Sequence, residues 1–136
     1  MLNPSTADST ANDPTILTLI HFAKVWGYGG LLVVNLRAFR TSKPSEMYAA
    51  SDAEGPDNDD FIRAALRYAH ETKKPALAAW GNASIPATSF IREAEIWGVD
   101  LICLGTTLGG QPKHPLARGH HRIPRDQMPV LWKVAA

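Results

Sequence analysis

Asn3, Asn35 and His114 each stand where an apolar run meets polar residues. The runs are Leu2-Asn3-Pro4-Ser5-Thr6-Ala7-Asp8, Leu31-Leu32-Val33-Val34-Asn35 and Gln111-Pro112-Lys113-His114-Pro115-Leu116. An amide carries an acceptor and a donor side by side, the pattern that pairs with the edge of a nucleobase. An imidazole works as acid, base or charge stabiliser near neutral pH. Two amides and an imidazole at one crevice make a base-reading or hydrolytic pocket. Asn35 is the sharpest signal, because an amide ending a strand of Leu and Val must find partners or cost about 1–3 kcal/mol. Its plainer reading is a cap on a neighbouring loop. After Asn3, Pro4 fixes the turn, and Ser5 and Thr6 can bind an anion or polar ligand or satisfy their own backbone. Arg37 and Arg40 meet an anionic group or face solvent. His114, between Pro112 and Pro115, sits in a rigid loop, where a histidine is functional or simply exposed.

Other chemistries lack their spacing. The stretch Gly105-Thr106-Thr107-Leu108-Gly109-Gly110 is glycine-rich but has neither the lysine–hydroxyl ending of a phosphate loop nor the dinucleotide-binding spacing. Ser5 has no flanking glycines of the nucleophile-elbow type. His120 and His121 are adjacent, and no HxxxH, HExxH or Cys–His pairing points to a metal, so neither metal nor cofactor is expected.

The elements that must position these residues follow from periodicity. Asp13 as N-cap, Pro14 at the first helical position and the spacing of Ile16, Leu19, Ile20, Ala23 and Trp26 predict a helix over 13–26, ended by Gly27, Gly29 and Gly30. Leu31–Leu36 reads as a strand buried on both faces. Lys43 opens a short helix through Ala50, and Ser51–Asn58 is a polar loop. Ile62, Ala65, Leu66 and Ala69 predict a helix from Asp59 to about Thr72. Pro75–Trp80 and Val99–Leu104 read as buried strands, separated by a helix over 87–97 with Phe90, Ile91, Ala94 and Trp97 inward. Alternating helices and strands call for an α/β fold, a short, mostly parallel sheet covered on both faces, with ligands at the C-terminal strand ends. Met1-Leu2 reads as the stub of a first strand, either a short one or one trimmed from a longer natural form.

The 136 residues fit one domain, and 45% hydrophobic with 20% charged residues is ordinary globular composition. The single Cys103 excludes an internal disulfide framework and fits a reducing, cytoplasmic setting. No run approaches the ~20 apolar residues of a membrane span. A net charge of +1 gives no overall pull toward nucleic acid. The charge is unevenly spread: Lys113, Arg118, Arg122, Arg125 and Lys133 face only Asp126, whereas Asp52, Glu54, Asp57, Asp59 and Asp60 form an acidic stretch. Both read as solvated surface, and the basic tail alternatively as a phosphate-contacting edge.

The motifs Leu2-Asn3-Pro4-Ser5-Thr6-Ala7-Asp8, Asp13-Pro14-Thr15, Trp26-Gly27-Tyr28, Val34-Asn35-Leu36, Gly55-Pro56-Asp57-Asn58-Asp59, Trp80-Gly81 and His114-Pro115-Leu116 resemble a bacterial and phage family, domain of unknown function 1643. Their order is also similar, more distantly, to the uracil-DNA glycosylase superfamily. That group has an Asn-Pro or Asp-Pro turn, a leucine-rich strand ending in a base-reading Asn, a Trp-Gly or Leu-Gly pair, and a His-Pro loop. Leu116-Ala117 replaces the usual Ser-Pro after His-Pro, and no aromatic closely follows Pro4. The second resemblance implies a three-layer α/β/α sandwich and cleavage of an N-glycosidic bond. Asn3 and His114 would be catalytic, with Asp8 (or Asp13) the nearest carboxylate for a base. Pro4, Ser5, Thr6, Asn35, Arg37 and Asn58 would bind a nucleobase, nucleotide or single-stranded nucleic acid. The competing expectation is a non-catalytic module of the same fold that binds a nucleobase or protein partner, favoured if the carboxylates cap the first helix instead. A metal-dependent hydrolase rests only on scattered His and Asp residues.

Overall fold

The computed structural model describes residues 13–34, 58–82 and 87–133. Helix α1 spans Pro14–Val25. The Asp13 carboxylate accepts from the Thr15 and Ile16 N–H groups at 2.8 and 3.4 Å, and Pro14 spends no hydrogen-bond donor in the first turn. Such a cap is worth about 1 kcal/mol. Leu19 and Phe22 are buried, and the helix stops where Gly27 turns left-handed (φ +82°) and the Tyr28 N–H reaches back to the Ala23 carbonyl.

Helix α2 covers Asn58–Thr72 and α3 covers Thr88–Trp97. Helix α2 is amphipathic: Ile62, Leu66 and Ala69 face inward, while Arg67 pairs with Glu71 at 2.9 Å on the exposed side. Arg63 reaches both Asp60 and, across to α3, Glu93. Helix α3 buries Phe90 and Ala94 and ends on Gly98, left-handed at φ +67°. These helices pack over one face of a small sheet, sharing a core of Ile62, Leu66, Ala78, Trp80, Phe90 and Leu101. Leu66 and Leu101 are each 1% exposed.

Among the described residues the sheet has three strands in the order β1 (Ala76–Leu77), β2 (Leu101–Cys103), β3 (Val130–Lys133). β1 and β2 run parallel, joined through α3, with the Ala76 and Ala78 N–H groups donating to the Asp100 and Ile102 carbonyls at 3.0 and 2.8 Å. β3 is antiparallel to β2. The α/β class stands, and the sheet is mixed. The antiparallel strand is absent from the sequence expectation because its apolar run, Val130-Leu131-Trp132, is short, and the strand is mostly exposed.

The predicted helices over 13–26, 59–72 and 87–97 correspond to α1, α2 and α3. Of Leu31–Leu36, expected as strand, Leu31–Val34 lie among the described residues and fall in no strand there, and Leu32 is 64% exposed. Val34 packs on the core, and the run lines an apolar cavity of about 760 Å³ between α1, α2 and β1. Apolarity marked these residues for burial without assigning a backbone partner. The short helix expected over 43–50 lies outside the described residues. Among the described residues, no helix is long and apolar enough to cross a membrane.

Helix α2 ends on Lys73, the one non-glycine residue with positive φ (56°) among the described residues. A side chain in the left-handed region costs about 1–2 kcal/mol. Lys73→Gly is therefore expected to stabilise the chain by roughly 0.5–1 kcal/mol, after the greater unfolded-state entropy of glycine is subtracted. Urea denaturation of the two proteins checks this, and a lower midpoint for the glycine variant would contradict it.

Candidate functional site

β1 and β2 are parallel, so their C-terminal ends open on the same side of the sheet. Beyond β1, Ala78, Ala79 and Trp80 continue buried to Gly81, where φ is +72°. Beyond β2, the chain makes a hairpin. The Lys113 N–H donates to the Gly105 carbonyl at 2.9 Å, the Thr107 N–H to the Gln111 carbonyl at 2.8 Å, and Thr106 bridges Pro112. The hairpin delivers His114.

The two strand ends meet closely. The Gly81 N–H donates to the Pro112 carbonyl at 2.8 Å, and a Cβ built on Gly81 would stand 3.3 Å from the His114 Cβ. Only glycine gives both the left-handed turn and this approach. Trp80 braces the hairpin through its indole N–H to the Gln111 Oε1 at 3.2 Å, with Phe90 and Trp132 edge-on at ring distances of 5.8 and 5.3 Å. Trp132 in turn donates from Nε1 to the Gly110 carbonyl at 3.0 Å. The Thr107 hydroxyl donates to the Asn82 Oδ1 at 2.7 Å, tying the residue after Gly81 to the same hairpin.

His114 is half-buried, and its Nδ1 accepts from the Leu116 N–H at 3.1 Å. A ring nitrogen that accepts carries no proton, so the neutral ring holds its proton on Nε2. Nε2 has no hydrogen-bond partner among the described residues. Burial pushes the His114 pKa below the ordinary 6.5, with the Asp13 carboxylate opposing. The N-terminus of α1 is thus within electrostatic reach of the imidazole. What results is a neutral imidazole whose N–H is oriented by the Leu116 N–H.

The family motifs Trp80-Gly81 and His114-Pro115-Leu116, 33 residues apart in the chain, are therefore one contact. A family model for proteins of unknown function, DUF1643, matches residues 1–116. The chain belongs to the DUF1643 family. No curated protein and no solved structure matches it.

The DUF1643 match ends at Leu116, just past His114. Of the other residues singled out in the sequence, Asn58 opens α2, one residue earlier than predicted, with its side chain outside the described set. Asn3, Pro4, Ser5, Thr6, Asp8, Asn35 and Arg37 lie outside the described residues. Asp13 caps α1. His120 and His121 lie in a 3₁₀ turn, Gly119–His121, the first exposed and the second half-buried. No three His, Cys, Asp or Glu side chains among the described residues cluster as a metal site. The roles of Gln111, Asn82 and Trp132 were invisible in the sequence, because each depends on a partner more than 20 residues away.

Gly81→Ala forces a side chain into the left-handed region and against His114. The expected loss is about 1–3 kcal/mol of stability with a displaced imidazole. Urea denaturation and the His114 ring resonances in an NMR spectrum check it. An unchanged midpoint with unmoved resonances would refute the contact.

Proposed function

We propose that this DUF1643 protein hydrolyses the N-glycosidic bond of a nucleobase, in a three-layer sandwich arranged like the uracil-DNA glycosylase superfamily. The observation that carries the reading is the Leu116 N–H on His114 Nδ1, which leaves Nε2–H as a donor from a ring that burial keeps neutral. A neutral donor aimed at a departing base stabilises the negative charge developing on it without first losing a proton, and such preorganised stabilisation often dominates catalysis. In the step, the C–N bond breaks with its electron pair going to the base. The oxygen of a water molecule bonds to the sugar carbon, and one water proton ends on the base. Asn35 reads the base edge and Asn3 holds the water. Asp8 is the candidate base for that water, and Pro4, Ser5, Thr6, Arg37 and Asn58 border the ligand. The parallel β1–β2 pair, with both C-terminal ends converging on His114, supports the sandwich and the crevice position.

A second reading has one observation in its favour. Asp13 spends its carboxylate on the Thr15 and Ile16 N–H groups, as expected of a helix cap in a nucleobase-binding module without a general base. Incubation with modified and unmodified nucleosides and single-stranded oligonucleotides, read by mass spectrometry, separates the two. Under the hydrolytic reading a free base appears, and His114→Ala lowers its rate by about 10²–10³-fold, the typical loss for one charge-stabilising donor. No released base from folded protein, with nucleobase binding retained, would favour the module.

The lowered His114 pKa also sets a pH dependence. The unfolded chain binds this proton more readily than the folded one, so stability rises with pH through this interval. His114's contribution is full above the ordinary 6.5 and is lost as pH falls toward the folded value. Activity that needs the neutral ring accordingly keeps its acid limb below 6.5. A pH–rate profile and an NMR titration of the ring test both. A His114 midpoint above 6.5 would contradict the assignment.

A further inference from the structure

Among the described residues, exposed cations without a carboxylate partner gather in the segment after His114. On α2 both arginines are ion-paired, Arg63 with Asp60 and Glu93 and Arg67 with Glu71, whereas Arg92 on α3 is exposed with no ion pair among the described residues. Lys113, Arg118 and Arg122 have no carboxylate partner among the described residues, and Asp126 is the one acid between them and Lys133. Arg118, His120, Arg122 and Arg125 are all exposed. Gly119, left-handed at φ +64° with nothing within 4 Å of its Cβ position, leaves the middle of this segment open.

The segment is held in place. His21 Nε2–H donates to the Arg125 carbonyl at 2.6 Å, while the Arg125 guanidinium donates to His21 Nδ1 at 3.0 Å. The Trp26 indole N–H donates to the Gln127 carbonyl at 2.8 Å. These bonds dock the segment on α1 and bring the exposed Lys24 of that helix to the same region. At its other end a tight turn, with the Ala117 N–H on the His114 carbonyl at 3.0 Å, joins it to the imidazole. A row of unneutralised cations thus begins four residues from His114 and is fixed to the body of the fold. It also lies beyond residue 116, outside the segment that the family model matches.

We propose that the edge from Arg118 to Arg125 binds the sugar–phosphate backbone of a single-stranded nucleic acid and leads it to His114. The choice of nucleic acid as the polyanion rests on the nucleobase reading of His114. Three arginines spread over this edge exceed what one nucleotide's phosphate can engage, which favours a strand over a free nucleotide. A duplex would withhold its bases from the crevice unless one were flipped out. The edge offers no exposed Phe, Tyr or Trp for stacking, so binding is electrostatic and depends steeply on salt.

The test is fluorescence anisotropy of a labelled oligothymidine over a range of salt concentrations. The slope of log K against log salt is expected to fall by about 0.7 for each phosphate contact removed. Arg118→Ala/Arg122→Ala should weaken binding roughly tenfold near 0.1 M salt, while Arg118→Lys/Arg122→Lys largely retains it. Unchanged affinity and slope in the folded alanine variant would overturn the proposal. So would competition by polyglutamate as effective as that by unlabelled oligonucleotide, which would mark a general acidic-partner site. The edge and the hydrolytic reading fail separately. Base release from nucleosides without oligothymidine binding removes the edge alone. Salt-dependent binding that survives His114→Ala, without base release from any substrate, leaves the edge standing and removes the hydrolase.

Discussion

The contact between Gly81 and His114 is the constraint on which the rest of this structure turns. A backbone hydrogen bond from Gly81 to Pro112 sets the separation of the two strand ends, and the missing Cβ lets the imidazole pack against the turn. Everything around it works to hold that separation. The parallel pairing of β1 with β2 aligns the ends, and the hairpin from Gly105 to Lys113 reverses the chain so that His114 returns to β1 rather than leaving the sheet. Trp80, one residue before Gly81, joins the hydrophobic core on one side and the Gln111 amide on the other. Burial energy in the core is in this way converted into position at the imidazole.

The antiparallel strand β3 belongs to the same device. It pairs with β2, but its main service is Trp132, which stands edge-on to Trp80 and donates to the Gly110 carbonyl at the hairpin tip. Two indole N–H groups thereby hold adjacent residues, Gly110 and Gln111, at the tip of one short hairpin, and the two indoles contact each other. The chain between His114 and β3 is fastened independently, to α1 by His21 and Trp26. Helix α1, whose capped N-terminus influences His114 and whose later turns hold Arg125 and Gln127, links the imidazole to the cationic segment.

How far this was legible in the sequence depends on how local each signal is. The start of α1 was readable because Asp13 and Pro14 act within four residues of themselves. The faces of α2 and α3 were readable because burial there follows a 3.6-residue period. The strands were located but overextended. Pro75–Trp80 and Val99–Leu104 are apolar but for Asp100, yet among the described residues their strands cover only Ala76–Leu77 and Leu101–Cys103, since hydrophobicity reports burial and not backbone partners. β3 was illegible, because Val130-Leu131-Trp132-Lys133 takes its meaning from β2 and Trp80. At the site, His114 and Trp80-Gly81 stood out as separate motifs. Their contact is a tertiary fact about a missing methyl group, and no spacing encodes it.

The apolar cavity and the candidate chemistry occupy different places, and they differ in physical character. The cavity of about 760 Å³ is walled mainly by Leu, Val, Ile, Phe and Ala side chains, with Tyr28, Thr72 and Lys74 supplying polar atoms, and His114 is not on its wall. The Lys74 ammonium there already lies 5.5 Å from the Tyr28 ring centroid. A specific ligand pocket needs a few convergent polar groups as well as volume. The crevice at His114 has an oriented Nε2–H, the Asp13 charge nearby and unneutralised arginines downstream in the chain. Volume beside α1 and β1 reflects how the Leu31–Val34 run packs, whereas the polar groups converge where the strand ends meet.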